Sequence, residues 1–158
     1  MANQEWSLAQ LIAKAEAYCA ATEHCISEVK YKLIQWHATP EQIEQIIPHL
    51  QKEKFIDELR YSSAFARDKA SLAGWGETKI RYMLSSRGIP KEVITLALEE
   101  IDGDKAADKL EKLMANKFKS LKDDPQCRMK MLRFALGRGY DYEEVSSVLD
   151  KLTGHDNK

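Results

Sequence analysis

The chain has 158 residues, with 24 lysines and arginines against 25 aspartates and glutamates, and it contains three cysteines. Its length fits about one ordinary domain, and no apolar run approaches the roughly 18 residues that a membrane helix requires. The odd, low cysteine number argues against a disulfide framework, and Met1 to Trp6 lacks a signal-peptide pattern, so a cytoplasmic protein without a membrane partner is expected.

Apolar residues at helical spacing predict nine short helices along the chain. The segment from Thr39 to Gln42 shows a typical start, with a hydroxyl at the cap and proline at the first helical position. Pro48 lies inside an apolar stripe, where it is expected to kink or shorten its helix. Glycine and proline are scarce, so the connections must be short. The predicted helices are 7–21, 26–37, 40–53, 56–72, 76–87, 90–101, 104–119, 125–138 and 142–152.

The sequence repeats itself every 51 residues. Arg87-Gly88 in the second copy matches Arg138-Gly139 in the third, at the predicted end of the middle helix of each copy. Glycine just past a helix end commonly adopts the left-handed cap conformation. The first copy has Trp36-His37 at this place, so its turn must form without glycine.

This repeat predicts the architecture. One group of three short helices buries little apolar surface alone, whereas stacked groups share a continuous core. The expected fold is all-α, with three tandem three-helix repeats at residues 1–53, 54–103 and 104–158. They are expected to form one continuous, elongated and curved helical solenoid. A compact nine-helix globule is the competing architecture.

The sequence contains no recognisable constellation of catalytic residues. Phosphate-binding loops, nucleophile elbows and the His-Glu-x-x-His motif do not occur. The best metal candidate is Cys19, His24 and Cys25, with His37 nearby, but this spacing fits no standard zinc pattern. Core packing is therefore the expected role of these cysteines. No catalytic residue, metal ion or cofactor is predicted.

Most aromatic residues stand beside aliphatic residues at helical spacing and are expected in the core. Trp75 is the best candidate for an exposed anchor or a platform for single-stranded bases, because glycines flank it and basic residues follow it. An equally plausible alternative is that Trp75 plugs the seam between two repeats.

The basic residues of the middle helices are the most informative polar set. Lys79 and Lys130 recur at the 51-residue spacing, as do Arg87 and Arg138, which would place charge at equivalent positions of stacked repeats. Such a stripe suits a phosphate backbone or an acidic protein groove. Arg87 and Arg138 have a structural alternative, which is to neutralise the carbonyls at helix ends. The candidate contact residues are Lys79, Arg81, Arg87, Lys91, Arg128, Lys130, Arg133 and Arg138.

Several motifs resemble the RecX family of bacterial recombination regulators, over about residues 8–150. They are Phe55-Ile56-Asp57-Glu58-Leu59-Arg60-Tyr61, Gly74-Trp75-Gly76 with Lys79-Ile80, Arg87-Gly88-Ile89-Pro90, and the closing stretch from Arg133 to Tyr140. The resemblance implies three tandem three-helix modules and binding to the RecA recombinase, chiefly to its filament on DNA. It also implies damping of ATP hydrolysis, strand exchange and the SOS response, without bond-making chemistry.

The partners expected from this resemblance are the RecA filament and DNA. DNA binding should be independent of sequence and weak for the protein alone, because the net charge is near zero. A monomer is expected. The alternatives are a stand-alone, sequence-independent DNA-binding module and a helical scaffold for another partner.

Overall fold

The computed structural model describes residues 5–154, which form nine α-helices and contain no β-strand. Every observed helix end lies within two residues of its prediction, and none of the described helices is long and apolar enough to cross a bilayer. The helices are α1 (Leu8–Ala21), α2 (Ile26–Gln35), α3 (Pro40–Lys52), α4 (Glu58–Ser71), α5 (Glu77–Ser86), α6 (Lys91–Glu99), α7 (Gly103–Leu121), α8 (Cys127–Gly137) and α9 (Tyr142–Thr153).

The middle helices α2, α5 and α8 end in the same way, one repeat length apart. His37, Gly88 and Gly139 all have positive φ angles, of 62°, 79° and 93°. A left-handed residue at this point turns the chain back and ends the helix. The first turn therefore forms without glycine, as expected, because His37 adopts the conformation that the two glycines adopt more easily.

Pro48 does not shorten its helix. α3 begins at Pro40, behind a capping box of Thr39 and Gln42, and continues through Pro48 to Lys52. Pro48 has no N–H to donate to the carbonyl of Glu44 four residues earlier. Both residues are exposed, so water can satisfy that carbonyl.

Each group of three helices encloses its own apolar core, so the protein has three small cores in sequence. The middle helix of each group contributes buried residues at equivalent positions, which explains why the apolar pattern repeats along the chain. These residues are Val29 and Leu33, Ile80 and Leu84, and Met131 and Ala135.

Main-chain hydrogen bonds join the start of α5 to the end of α8, at what we call the second seam. The N–H of Gly76 donates to the carbonyl of Arg138 (2.7 Å), and the N–H of Thr78 donates to that of Gly139 (3.1 Å). A Cβ on Gly76 would overlap the carbonyl group of Gly139. The two backbones can therefore approach so closely only because glycine has no side chain.

The first seam, between α2 and α5, uses side chains at the equivalent positions. Ser27 Oγ donates to the carbonyl of Arg87 (2.9 Å). Cys25, which corresponds to Gly76, packs in the second core, whereas Ile56 packs in the first. Neighbouring groups thus exchange core residues, and the division of the chain at residues 53 and 103 stays a prediction.

The two seams arrange α2, α5 and α8 end to end, and we call these three helices the middle-helix spine. At each seam the amino end of one helix meets the carboxyl end of the next, which also aligns opposite ends of the helix dipoles. Helices of 10, 10 and 11 residues give the spine about 45 Å of helical length at 1.5 Å per residue. This stack of small cores confirms the predicted elongated, helical repeat fold.

Candidate interaction surface

The basic residues singled out in the sequence lie on or beside the middle-helix spine. Most are exposed or half-buried on α5 and α8, and Lys91 begins α6. The spine helices contain seven basic residues against two acidic ones, Glu28 and Glu77, although the whole chain has a net charge of −1. The basic residues are Lys30, Lys32, Lys79, Arg81, Arg128, Lys130 and Arg133.

Arg87 and Arg138, which follow α5 and α8, are parts of the seams. The Arg138 Nη1 donates to the carbonyl of Ala73 (2.7 Å), and the Arg87 Nη1 donates to the hydroxyl of Tyr61 (3.2 Å). Burial raises the pKa of the Tyr61 phenol, which keeps it protonated. Both arginines thus make structural contacts within the protein, but their guanidinium groups bind groups other than the carbonyls of their own helix ends that the sequence suggested.

Three other candidates form ion pairs within the chain. Arg81 pairs with Glu77 (3.1 Å) on the same helix. Arg128 and Lys130 bind acidic groups outside α8, namely those of Asp150 (3.2 Å) and Asp124 (2.6 Å). The hydrogen bond from Lys130 lowers the pKa of the Asp124 carboxyl. Exposed pairs of this kind contribute about 0–1 kcal/mol each, so a partner can readily compete for the cations.

A shallow basic groove of about 280 Å³ lies between α7 and α8. Leu121 and Phe134 provide its apolar lining, and Lys117, Lys130 and Arg133 provide its charges. The Lys117 ammonium lies 5.3 Å from the centre of the Phe134 ring. The structure thus brings the predicted residues Lys130 and Arg133 together in one groove and adds Lys117, which was not among the candidates. The local excess of basic residues in 105–138 is the signal by which the sequence could have identified it.

Trp75 is half-buried and packs against the second core, with the ammonium of Lys79 4.4 Å from its ring centre. It follows Gly74, whose φ is 68°, and directly precedes the Gly76 of the second seam. This placement favours the expectation that Trp75 fills the seam rather than presenting a free platform.

The exposed apolar residues of the spine were not foreseen from the sequence. Tyr31 and Tyr82 occupy equivalent positions, and 64 % and 71 % of their surfaces are exposed. The 51-residue spacing between the two tyrosines was a usable signal in the sequence. The third copy has Arg133 at this position. Other exposed apolar residues of the spine are Ile34, Met129 and Leu136.

The cysteines considered as metal ligands lie in two different cores. Cys19 packs in the first core and Cys25 in the second, and burial raises the pKa of the Cys19 thiol. The His24 ring stacks on Tyr18 (3.8 Å between centres) and lies 3.4 Å from a carboxylate oxygen of Glu28. Within residues 5–154, histidine, cysteine and acidic side chains form no group of three suited to a metal ion.

A second groove, of about 380 Å³, lies where α4, α6 and α7 meet. Its lining mixes cations with anions, so it presents no uniform charge to a ligand. The charged residues are Arg67, Glu100, Asp102, Lys105 and Lys109. Asp102 is also used as the cap of α7, where its carboxylate accepts from the N–H of Asp104 (2.9 Å).

Two stretches of the chain match known protein-family profiles. Residues 57–98 match the family described as RecX, second three-helix domain, and residues 104–149 match RecX, third three-helix domain. These stretches cover more than half of the chain, and they include α5, α8 and both glycines of the second seam.

Individual proteins called Regulatory protein RecX are also similar. The protein of Clostridium tetani is 36 % identical over 114 residues, which are 70 % of this chain and 52 % of that protein. That of Prosthecochloris aestuarii is 31 % identical over 140 residues, 88 % of this chain and 91 % of the relative. The chain thus spans about half of the first relative and most of the second.

Solved structures share the fold. The crystal structure of RecX from Lactobacillus salivarius has a TM-score of 0.82 at 20 % identity, covering 92 % of this chain and 96 % of that one. A structure described as regulatory protein RecX has a TM-score of 0.79 at 21 % identity, covering 95 % and 81 %. At this identity the likeness concerns the fold.

Proposed function

Because this chain belongs to the RecX family of regulatory proteins, we propose that it binds the RecA recombinase filament on DNA and inhibits it. Inhibition would lower ATP hydrolysis and strand exchange, and with them the SOS response. The protein acts as a monomer in the cytoplasm, where a recombinase filament would be found. Its action requires no catalytic residue or cofactor, since contact alone can lock or destabilise an assembly.

The observation that carries this proposal is the concentration of positive charge on the middle-helix spine. A chain with a net charge of −1 has seven basic and two acidic residues on three helices arranged end to end. These helices have a summed length of about 45 Å, and their positive charge complements an extended acidic groove or a phosphate backbone. A filament on DNA offers a phosphate backbone along its length, and we expect an acidic protein surface beside it.

We assign the filament contact to the same basic residues, with two kinds of role. Lys79, Arg81, Lys91, Arg128, Lys130 and Arg133 contact the partner directly. Arg87 and Arg138 contribute through the seams, since the Arg87 carbonyl accepts from Ser27 and the Arg138 guanidinium donates to the carbonyl of Ala73.

The primary experiment measures ATP hydrolysis by the RecA of the same organism on single-stranded DNA while this protein is titrated. DNA binding by the protein alone is recorded in the same buffer. We expect hydrolysis to fall at protein concentrations too low to coat the DNA. Unchanged hydrolysis at every concentration would contradict the proposal.

Arg133→Glu tests the assignment of the contact, since Arg133 is exposed and lines the basic groove. Reversing a desolvated charge contact should weaken inhibition by about 10-fold or more. Lys112→Glu is the matched control, because it makes the same charge change on an exposed position of α7 in the same repeat. Circular dichroism should show unchanged helicity for both variants. Equal inhibition by both would refute the assignment.

The second candidate function is a stand-alone DNA-binding module, which the basic groove beside Phe134 favours. Such a module binds single-stranded DNA without the recombinase. Its affinity falls with salt at a log–log slope of about −0.7 per neutralised phosphate. Tight DNA binding with no effect on ATP hydrolysis would select this function over filament inhibition.

A further inference from the structure

Exposed apolar residues are concentrated on the middle-helix spine. Of the nine large apolar residues that are exposed within residues 5–154, five belong to α2, α5 and α8, which are three of the shorter helices. Scattered single residues of this kind are normal on a protein surface, but a concentration on one set of helices indicates an interaction site.

Tyr31 and Tyr82 are the largest of these residues, and they stand at equivalent positions of consecutive repeats. Each lies on the side of its helix opposite the buried pair, which is Val29 and Leu33 in α2 and Ile80 and Leu84 in α5. Because α2 and α5 are joined end to end at the first seam, the two phenol rings follow one another along the spine.

Each tyrosine has an apolar or basic neighbour on its own helix that could contact the same partner. Ile34 lies three residues after Tyr31 and is 60 % exposed, and Lys79 lies three residues before Tyr82. Residues three apart are adjacent on a helix surface. In α8, Arg133 takes the tyrosine position, with Met129 four residues before it and Leu136 three residues after it, both exposed.

This mixture of apolar and basic residues favours a protein partner over DNA. Base-stacking platforms rely on aromatic rings, whereas Ile34, Met129 and Leu136 are not aromatic and fit pockets of another protein. Tyrosine and arginine are enriched among the residues that dominate protein interfaces.

Building on the proposed function, we infer that the outward face of the middle-helix spine docks on the protein surface of the recombinase filament, with Tyr31 and Tyr82 as its anchors. The excess of basic over acidic residues on the spine requires an acidic surface on the partner, and the two rings require apolar pockets within it.

Tyr31→Ala and Tyr82→Ala test this inference, with Leu96→Ala as the matched control. Leu96 is 49 % exposed in the middle of α6, which is not one of the spine helices. Binding of the labelled protein to RecA filaments, assembled on single-stranded DNA with a non-hydrolysable ATP analogue, is followed by fluorescence anisotropy. Each spine variant should bind about 10-fold or more weakly, whereas the control should change less than about 3-fold. Circular dichroism checks that all variants fold.

The outcomes separate this inference from the proposed function. Failure of the unmodified protein to bind filaments would overturn both. Normal binding by the unmodified protein and by the Tyr31→Ala/Tyr82→Ala double variant would overturn only the inference. Binding of both proteins to single-stranded DNA alone is measured as well. If the double variant lost as much affinity for single-stranded DNA alone as for filaments, the assignment to a protein surface would be overturned.

Discussion

Three left-handed residues end the spine helices, and the space around them differs. Gly88 has no atom from elsewhere in the protein within 4 Å of where a Cβ would lie. A Cβ on Gly139 would overlap the backbone and Cβ of Lys79. His37 is exposed, so its side chain meets no steric obstacle. Its only cost is the strain of the left-handed conformation in a residue that has a Cβ.

Gly88→Ala and Gly139→Ala should therefore differ in their cost. Gly88→Ala adds only conformational strain, which lowers the free energy of unfolding by about 1–2 kcal/mol. Gly139→Ala adds steric overlap at the second seam and should cost roughly 2–5 kcal/mol in total. Urea denaturation of both variants measures the difference. Equal losses would show that the close approach at the second seam contributes nothing.

Glu58 gives the first seam a dependence on pH. Its carboxylate accepts from the N–H of Ile26 (3.4 Å), and burial raises its pKa above the usual 4.5. Between pH 4.5 and that raised value the folded state binds more protons than the unfolded state, so stability falls as the pH rises.

Glu58→Gln should remove this dependence, since glutamine keeps an acceptor for Ile26 and has no charge to desolvate. Relative to the variant, the unmodified protein should lose stability as the pH rises through the window that begins at about 4.5. Urea denaturation at a series of pH values gives the comparison. If the free energy of unfolding changed with pH in the same way for the two proteins, the prediction would be contradicted.

At the scale of helices, the sequence predicts interactions between residues that are close in the chain better than interactions between residues that are far apart. Helix ends were predicted because their signals are local, such as the capping pair of Thr39 and Gln42. The contact of Arg138 with Ala73 joins residues 65 positions apart, so no local pattern reveals it. Two pairs of candidate basic residues, Lys79 with Lys130 and Arg87 with Arg138, could be found from the repeat, whereas the division of the candidates into exposed and seam residues required the fold.

α3 contains two prolines in contrasting positions, which allows a controlled test. Pro40 is at the first helical position, where its missing N–H has no cost, whereas Pro48 lies in the interior. Pro48→Ala should raise the free energy of unfolding by about 1–3 kcal/mol, because it restores the bond to the carbonyl of Glu44. Pro40→Ala should leave stability unchanged or slightly reduced. Chemical denaturation measures both, and a loss of stability with Pro48→Ala would count against this account of α3.

For the whole molecule, stability should come from the three cores and from the seams that couple them. Trp6 and Trp36 pack against the first core and Trp75 packs against the second, beside the second seam. Tryptophan fluorescence therefore reports chiefly on the first two groups and contains no signal from the third core. Far-ultraviolet circular dichroism reports on all helices together. The two signals can therefore distinguish unfolding as one unit from separate unfolding of the third group.

Gly76→Ala should uncouple the third group, because the new methyl group would overlap the carbonyl group of Gly139 at the second seam. In the unmodified protein we expect the fluorescence and circular dichroism transitions in urea to coincide. In the variant they should separate, with helical signal lost over two steps. Coincident transitions in the variant would mean that the seam does not couple the groups.

The second seam is built largely from main-chain atoms, which every residue other than proline can supply. Apart from Gly76 and Gly139, where a Cβ would collide with the opposite backbone, and Arg138, whose side chain binds the carbonyl of Ala73, the joint places little demand on residue identity. Copies of a three-helix unit joined in this way could thus diverge in sequence without losing the joint. The surface along the spine is then free to acquire new specificity, and the chain can lengthen by whole units without a new joint being devised.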